Sequence, residues 1–329
     1  MNEGIRTLFG LAGGLALFLF GMDNMSRALQ QAAGEGLKKF LREVTRNPLT
    51  GALAGMVVTA ILQSSSATTV MVIGFVSAGL MELPQAVAVV FGANVGTTMT
   101  AQLLAFRLAD WVFPILFAGT ILFLTAKQER LRQTGLAVFS FGLLFDGIEV
   151  MSGAMGPLAE SPVFRHWMEQ VRDAPLLGLL LGIGMTLVVQ SSSATIAVLQ
   201  RTAQQVGPDG IHSVLGLAGA LPVLLGDNIG TTITAVLAAV GQSRDAKRTA
   251  AAHCCFNLSG SVVCLCILPW LTEAVERLSP QGPELEVIAR QIANAHTLFN
   301  LVCTLVWLPL TPIMVKLVCK LVPEPSKSS

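Results

Sequence analysis

The hexapeptide Gln-Ser-Ser-Ser-Ala-Thr occurs twice, at 63–68 and at 190–195, each time inside an apolar stretch long enough to lie within a bilayer. Lipid satisfies none of the polar side chains of Gln63, Ser64, Ser65, Ser66, Thr68 and Thr69, so they must face protein, trapped water or a polar solute. A second copy implies two halves turned toward one site.

The surroundings fix the solvent. Of the residues 53% are hydrophobic and only 12% charged, and the mean hydropathy is +0.66; this is the composition of a membrane protein. A net charge of +1 provides no basic face, which excludes nucleic acid as a partner. The first apolar run has a single Arg6 ahead of it and no small-residue cleavage site behind it, so it is expected to be a retained helix and not a signal peptide. All six cysteines fall in C-terminal apolar segments without Cys-x-x-Cys spacing, which favours packing over a metal site or disulfides.

Apolar stretches run at about 8–31, 49–80, 85–105, 110–126, 134–155, 175–206, 211–240, 249–271 and 288–319. Those at 49–80 and 175–206 carry the hexapeptide near their middle, which predicts a broken helix or re-entrant hairpin. Trp111, Trp270 and Trp307 lie near run ends, at headgroup level, with packing inside the bundle the other reading for Trp307.

The repeat is longer than six residues. The segment 19–26 aligns with 145–152 at an offset of 126, and the hexapeptides follow at 127. Gly-Ala-Asn-Val-Gly-Thr-Thr at 92–98 matches Gly-Asp-Asn-Ile-Gly-Thr-Thr at 226–232 at an offset of 134. One unit is therefore present twice. A further pair, His253-x-x-Phe256-Asn257 and His296-x-x-Phe299-Asn300, has no counterpart in the first half. Charge gives the orientation: placing loops 34–48, 127–132 and 244–248 with the C-terminal tail on one side collects thirteen Lys and Arg, which assigns that side to the cytoplasm. The loop before the first hexapeptide is then inside and its mate, 157–174, outside, as inverted-topology repeats require. The expected fold is an all-α integral membrane protein with transport repeats at 1–126 and 127–245, C-terminal transmembrane helices over 246–322 and a polar tail at 323–329.

Two Gln-Ser-Ser-Ser motifs, each followed by Gly-x-Asn-x-Gly-Thr-Thr, resemble the type II sodium-dependent phosphate cotransporter family over roughly residues 10–310. The resemblance implies a multi-pass protein of the cell inner (plasma) membrane with a cytoplasmic C-terminus, sodium-coupled phosphate import by alternating access, sodium as coupling ion and no other cofactor. Bacterial members similar to this chain often carry a C-terminal helical domain like the phosphate-uptake regulator; with the sequence stopping at Ser329, regulation through such a domain is expected to be absent. A homodimer is left open, as is an anion other than phosphate.

The residues themselves fit that chemistry. Hydroxyls, amides and the free N–H groups of broken helices hold an oxyanion, and Gln63, Ser64, Ser65, Ser66, Gln190, Ser191, Ser192 and Ser193 supply them from both repeats, with Asn94 and Asn228 beside glycines that admit close approach. Sodium requires oxygen ligands, and Thr68, Thr69, Thr195, Thr97, Thr98, Thr231 and Thr232 are the candidates. Asp227 replaces Ala93 of the first copy; a carboxylate at membrane depth points to a cation role, against a polar cap. The competing readings are helix glue for the serines and threonines, close helix packing for the Gly-x-Asn-x-Gly-Thr-Thr pair, and interhelical hydrogen bonds for His253 and His296. Asp23, Asp146 and Glu149 are second-rank candidates. The run Glu35–Arg46, with Lys38, Lys39 and Arg42, reads as a surface amphipathic helix. A passive channel for the anion is the nearest alternative function. A membrane hydrolase using Ser64 or Ser192 with His253 as base is disfavoured, because no Gly-x-Ser-x-Gly elbow is present and the whole hydroxyl cluster is duplicated.

Overall fold

The computed structural model describes residues 3–33, 36–45, 47–106, 108–207 and 209–324, which form helices joined by short turns, with one isolated bridge between Val206 and Ser213. The first half runs α1 (Glu3–Ala33), α2 (Gly36–Val44), α3 (Pro48–Leu62), α4 (Ser65–Ser77), α5 (Leu83–Leu104) and α6 (Val112–Thr125). The second runs α7 (Glu129–Glu160), α8 (Pro162–Asp173), α9 (Pro175–Val189), α10 (Ser192–Ala203), α11 (Gly216–Gly230) and α12 (Ile233–Ala239). Then come α13 (Arg244–Cys266), α14 (Leu268–Leu278), α15 (Glu284–Trp307) and α16 (Thr311–Leu321). Among the described residues five helical stretches are long and apolar enough to cross a membrane, or seven if the bent pairs α8–α9 and α15–α16 each count as one.

The repeats are inverted. Gly10 of α1 lies against Ala154 of α7, Gly14 against Gly147 and Met151, and Gly21 against Ser140 and Leu144. Numbers rise along α1 as they fall along α7, so the two mates run antiparallel. Small residues permit this close seam, and Phe18, Phe145 and Ile148 seal it.

Both hexapeptide stretches turn back. Gly51 of α3 packs on Ala88 of α5, Gly55 on Val89, and Gly96 of α5 on Met56 and Thr59, so α3 and α5 run in parallel with their starts level. The amide of Gln85, at the start of α5, donates to Thr45 O just before α3. Helix α4 and a loop of only 78–82 lie between them, so α4 must return to the side from which α3 came. Helices α9 and α11 repeat this: Gly182 lies against Val223 and Asp227, and Gly226 against Leu179. Each half thus contains a re-entrant hairpin.

Several expected boundaries shift. The stretch 288–319 bends by 88° between α15 and α16, where Pro309 and Pro312 remove backbone donors. Loop 157–174 contains a helix that the sequence reading missed. Pro162 starts α8 and Pro175 ends its continuation into α9, with a 112° bend. Phe164, Met168 and Val171 face the core from α8, at the spacing of an amphipathic helix. Its mate α2 is the surface helix expected at 35–46, though the side chains of Lys38 and Arg42 lie outside the described residues. Trp307 is packed inside, donating to Ser259 Oγ at 3.1 Å, while Trp111 and Trp270 are exposed. All six cysteines are free thiols.

Candidate functional site

The hexapeptides sit where the hairpins turn. Helix α3 ends at Leu62, Gln63 takes the left-handed conformation at φ 53°, and Ser64 caps α4, its Oγ accepting from the Ala67 amide at 3.2 Å. The second copy is the same: Gln190 has φ 54°, and Ser191 Oγ accepts from the Ala194 amide at 3.3 Å. Among the described residues these two glutamines are the only non-glycine residues at positive φ, and side chains at such positions carry about 1–3 kcal/mol of strain that function commonly explains. Each serine cap leaves the first amides of the returning helix, those of Ser65 and Ser66 or of Ser192 and Ser193, without an intrahelical carbonyl. A helix start of this kind attracts an anion.

Both turns open on one cavity of about 220 Å³, lined by Gln63 through Ser66, Gln190 through Ser193, Thr97, and four residues of α1: Leu19, Met22, Asp23 and Ser26. Among the described residues no lysine or arginine lines it. Arg27, one turn from Asp23, is held by that carboxylate at 3.0 Å. The eight hexapeptide residues proposed for the anion are thereby brought together. The α1 residues were not singled out for the site, apart from Asp23 as a second-rank candidate.

The threonines divide. Thr68 Oγ1 lies 2.8 Å from Thr59 Oγ1, and its mate Thr195 Oγ1 lies 3.0 Å from Thr186 Oγ1. The Thr186 hydroxyl also lies 2.6 Å from Asp227 Oδ1. Asp227 is fully buried, and its Oδ2 has no partner. The Thr69 hydroxyl is buried and unpartnered too. Thr98 and Thr232 bond to carbonyls of their own helices, Val95 and Ile229, each at 2.8 Å. Thr231 is buried outside the cavity, whereas Thr97 lines it. Sequence reasoning missed Thr59 and Thr186, although they stand at the offset of 127 that the hexapeptides set.

Asn94 and Asn228 do not reach the cavity. Each is buried, with its amide donating to a carbonyl one turn back, Val90 and Leu224, at 2.9 Å. The Asn94 carbonyl lies 3.1 Å from His253 Nε2 and 3.4 Å from the Asn257 amide, and the Asn228 carbonyl accepts from Asn300 at 3.4 Å. Through these asparagines α13 is tied to Asn94 and α15 to Asn228, while Ser261 of α13 donates to Leu225 O and Thr304 of α15 to Phe91 O, so each of the two helices holds both repeats. His253 serves an interhelical hydrogen bond and not a serine.

The profile of the Na+/Pi-cotransporter family matches residues 17–153 and again 154–271, one match beginning in α1 and the other near the end of α7. The Bacillus subtilis (strain 168) protein YqeW is 36% identical over 269 residues, 81% of this chain and 84% of that protein. The "Putative inorganic phosphate export protein YjbB" of Escherichia coli (strain K12) is 31% identical over 283 residues, 85% of this chain but 50% of its own length. The chain therefore spans about half of YjbB. The rat "Sodium-dependent phosphate transport protein 2A" is 34% identical over 97 residues, covering 29% of this chain and 15% of that protein. No solved structure matches.

Proposed function

Because the chain belongs to the Na+/Pi-cotransporter family, whose members are transporters and not enzymes, we propose that it is a sodium-coupled symporter that brings inorganic phosphate into the cell by alternating access of its two inverted repeats. One observation carries this reading: both Gln-Ser-Ser-Ser turns, one from each hairpin, end on a single polar cavity free of fixed cations. Phosphate is held there by the hydroxyls and free amides of Ser65, Ser66, Ser192 and Ser193 with the amides of Gln63 and Gln190. A site without lysine or arginine lets the anion leave again, and co-bound sodium supplies the countercharge.

Sodium is assigned to the oxygen cluster of Asp227, Thr186 and Thr195, with Thr59 and Thr68 as the corresponding oxygens of the first repeat and Thr97 at the cavity wall as a further candidate. Thr98 and Thr232 donate to carbonyls of their own helices, as Thr186 and Thr195 do, and stay outer candidates for the ion. Asn94 and Asn228 are reassigned from the anion to the scaffold. The loop bearing α2 and the C-terminal end are placed in the cytoplasm by the positive-inside rule.

Outward passage of phosphate is the second reading, favoured by the name of the YjbB relatives. Radiolabelled phosphate uptake into proteoliposomes, under an inward sodium gradient against potassium and choline gradients, tests both. Concentrative sodium-driven uptake supports the symporter, and Gln63→Ala or Gln190→Ala abolishes it in folded protein. Flux that only equilibrates phosphate under every gradient refutes the coupling.

A further inference from the structure

All but one of the polar groups in the cavity wall are neutral and able to donate. Several of their oxygens are already engaged within the protein: Gln63 Oε1 accepts from Thr100 at 3.0 Å, Ser64 and Ser191 Oγ accept from the amides of Ala67 and Ala194, and Ser26 Oγ accepts from the Gln30 amide at 3.1 Å. These serines keep their hydroxyl protons for a ligand, beside the free first amides of α4 and α10. Asp23 is the exception. Among the described residues it is the only charged side chain that lines the cavity, and an ionised carboxylate accepts hydrogen bonds and donates none. Arg27, which stands outside the wall, approaches its two oxygens at 3.0 and 3.2 Å and so fixes the carboxylate at the rim. Its repeat mate Glu149 is exposed and away from the cavity, so this acceptor is present once although the donors are present twice.

A wall of neutral donors holds any tetrahedral oxyanion, and sulfate suits it as well as phosphate does. The two anions differ at neutral pH in one respect: phosphate keeps a proton on at least one oxygen, and sulfate keeps none. A carboxylate in the wall reads that difference, because it accepts from a P–OH and repels an oxygen that has no proton to give. We propose that Asp23 is a specificity-determining residue of the site, accepting a hydrogen bond from the protonated oxygen of phosphate. The substrate class is then the tetrahedral oxyanions that carry a proton, phosphate and arsenate among them, and sulfate is excluded by the same carboxylate. This inference rests on the phosphate-transport reading above. The Asp23 side chain is 57% exposed, so the discrimination is that of one hydrogen bond to a charged group, about 10- to 100-fold, and not the roughly 10⁴- to 10⁵-fold of a sealed site.

The test measures displacement of radiolabelled phosphate from the purified full chain, in sodium buffer at neutral pH, by unlabelled phosphate, arsenate, sulfate and fluorophosphate. Fluorophosphate has the shape and charge of hydrogen phosphate, with fluorine where the protonated oxygen stands. The parent is expected to bind arsenate about as well as phosphate, and sulfate and fluorophosphate about tenfold or more weakly. Sulfate or fluorophosphate competing as well as phosphate overturns the proposal, and this comparison needs no variant. Asp23→Asn keeps the size, removes the charge and offers an amide N–H to a bare oxygen. Phosphate then weakens, sulfate strengthens, and their ratio moves toward sulfate by about 10- to 100-fold. A folded variant that weakens both anions equally shows a merely structural role and overturns the proposal. One that loses its response to sodium with the anion ratio unchanged assigns Asp23 to the cation and overturns it too. Where Asp23→Asn fails to fold, the parent's fluorophosphate comparison decides. A parent that binds no phosphate refutes the transport reading itself, whereas a parent that binds phosphate without excluding sulfate refutes only the role of Asp23.

Discussion

Replacing Asp227 with asparagine isolates the charge in the second repeat. The carboxylate is 0% exposed, its Oδ1 meets Thr186 at 2.6 Å and its Oδ2 meets nothing, and no lysine or arginine of the described residues pairs with it. An ion so placed costs several kcal/mol unless a counter-ion is bound. The first repeat has the same hydroxyl pair, 2.8 Å against 3.0 Å, but Ala93 in place of the acid. Asp227→Asn keeps the size and a carbonyl for Thr186 while removing the charge. In sodium-free choline buffer the variant is therefore expected to be more stable than the parent, by roughly 1–3 kcal/mol if the burial penalty is partly relaxed. Adding sodium to about ten times its dissociation constant stabilises the parent by RT ln 11, about 1.4 kcal/mol, and a variant without the site by nothing. Thermal unfolding in detergent, comparing sodium with choline chloride at equal ionic strength, reads both effects. A variant that keeps the full sodium-specific shift refutes the assignment of the ion to Asp227.

Gly92→Ala places its Cβ 1.7 Å from Ala52 O. Helices α3 and α5 must then part by more than an ångström, at a cost of about 1–3 kcal/mol or more, seen as a lower melting temperature; an unshifted one refutes the close approach. Asn94→Ala removes the carbonyl that meets buried His253 Nε2 and the Asn257 amide, costing about 1–3 kcal/mol in the same assay; an unshifted melting temperature refutes the pin. In the 205–215 loop, Asp209 bonds to the amides of Ile211 and His212 and to the imidazole of His212, which holds its carboxyl below the usual range and raises the imidazole. The raised histidine adds stability below its ordinary 6.5 that fades as pH rises through its folded value, and the lowered aspartate adds stability above 3.8 that fades as pH falls. Amide protection factors in the loop, corrected for the intrinsic pH dependence of exchange, should be highest between those limits, and protection that is flat from pH 3 to 9 counts against the pair.

What the sequence made legible follows from its polarity and its duplication. Gln63 to Ser66 and Gln190 to Ser193 stand out because serines and a glutamine inside apolar runs have no use for lipid, and their repetition implied the shared cavity. The hairpins were readable for the same reason. Other features depend on partners distant in sequence. Nothing local says that Asn94 spends its carbonyl on His253, 159 residues away, so it looked as suited to an anion as any amide beside glycines. Helix α8 was hidden because Pro162 and Pro175 read as loop signals, although Phe164, Met168 and Val171 carry a helical stripe. The deepest gap concerns α5 and α11–α12. Near-identical segments differ only locally: 216–239 stays one helical stretch, tightened at Thr231 and Thr232 by bonds three residues back, while α5 runs through the same motif without it.

The cross-bracing by α13 and α15 has a consequence for biogenesis. The grip on Asn94 comes from a helix that follows the second repeat, and the grip on Asn228 from one later still. During synthesis the first repeat reaches the membrane with the Asn94 carbonyl awaiting a donor roughly 160 residues downstream. A ribosome released after the second repeat leaves two halves whose hairpins are complete but whose polar pins are empty. Full pairing of the two repeats is thereby tied to insertion of the final helices, and truncated chains lack the donors that meet the Asn94 and Asn228 carbonyls.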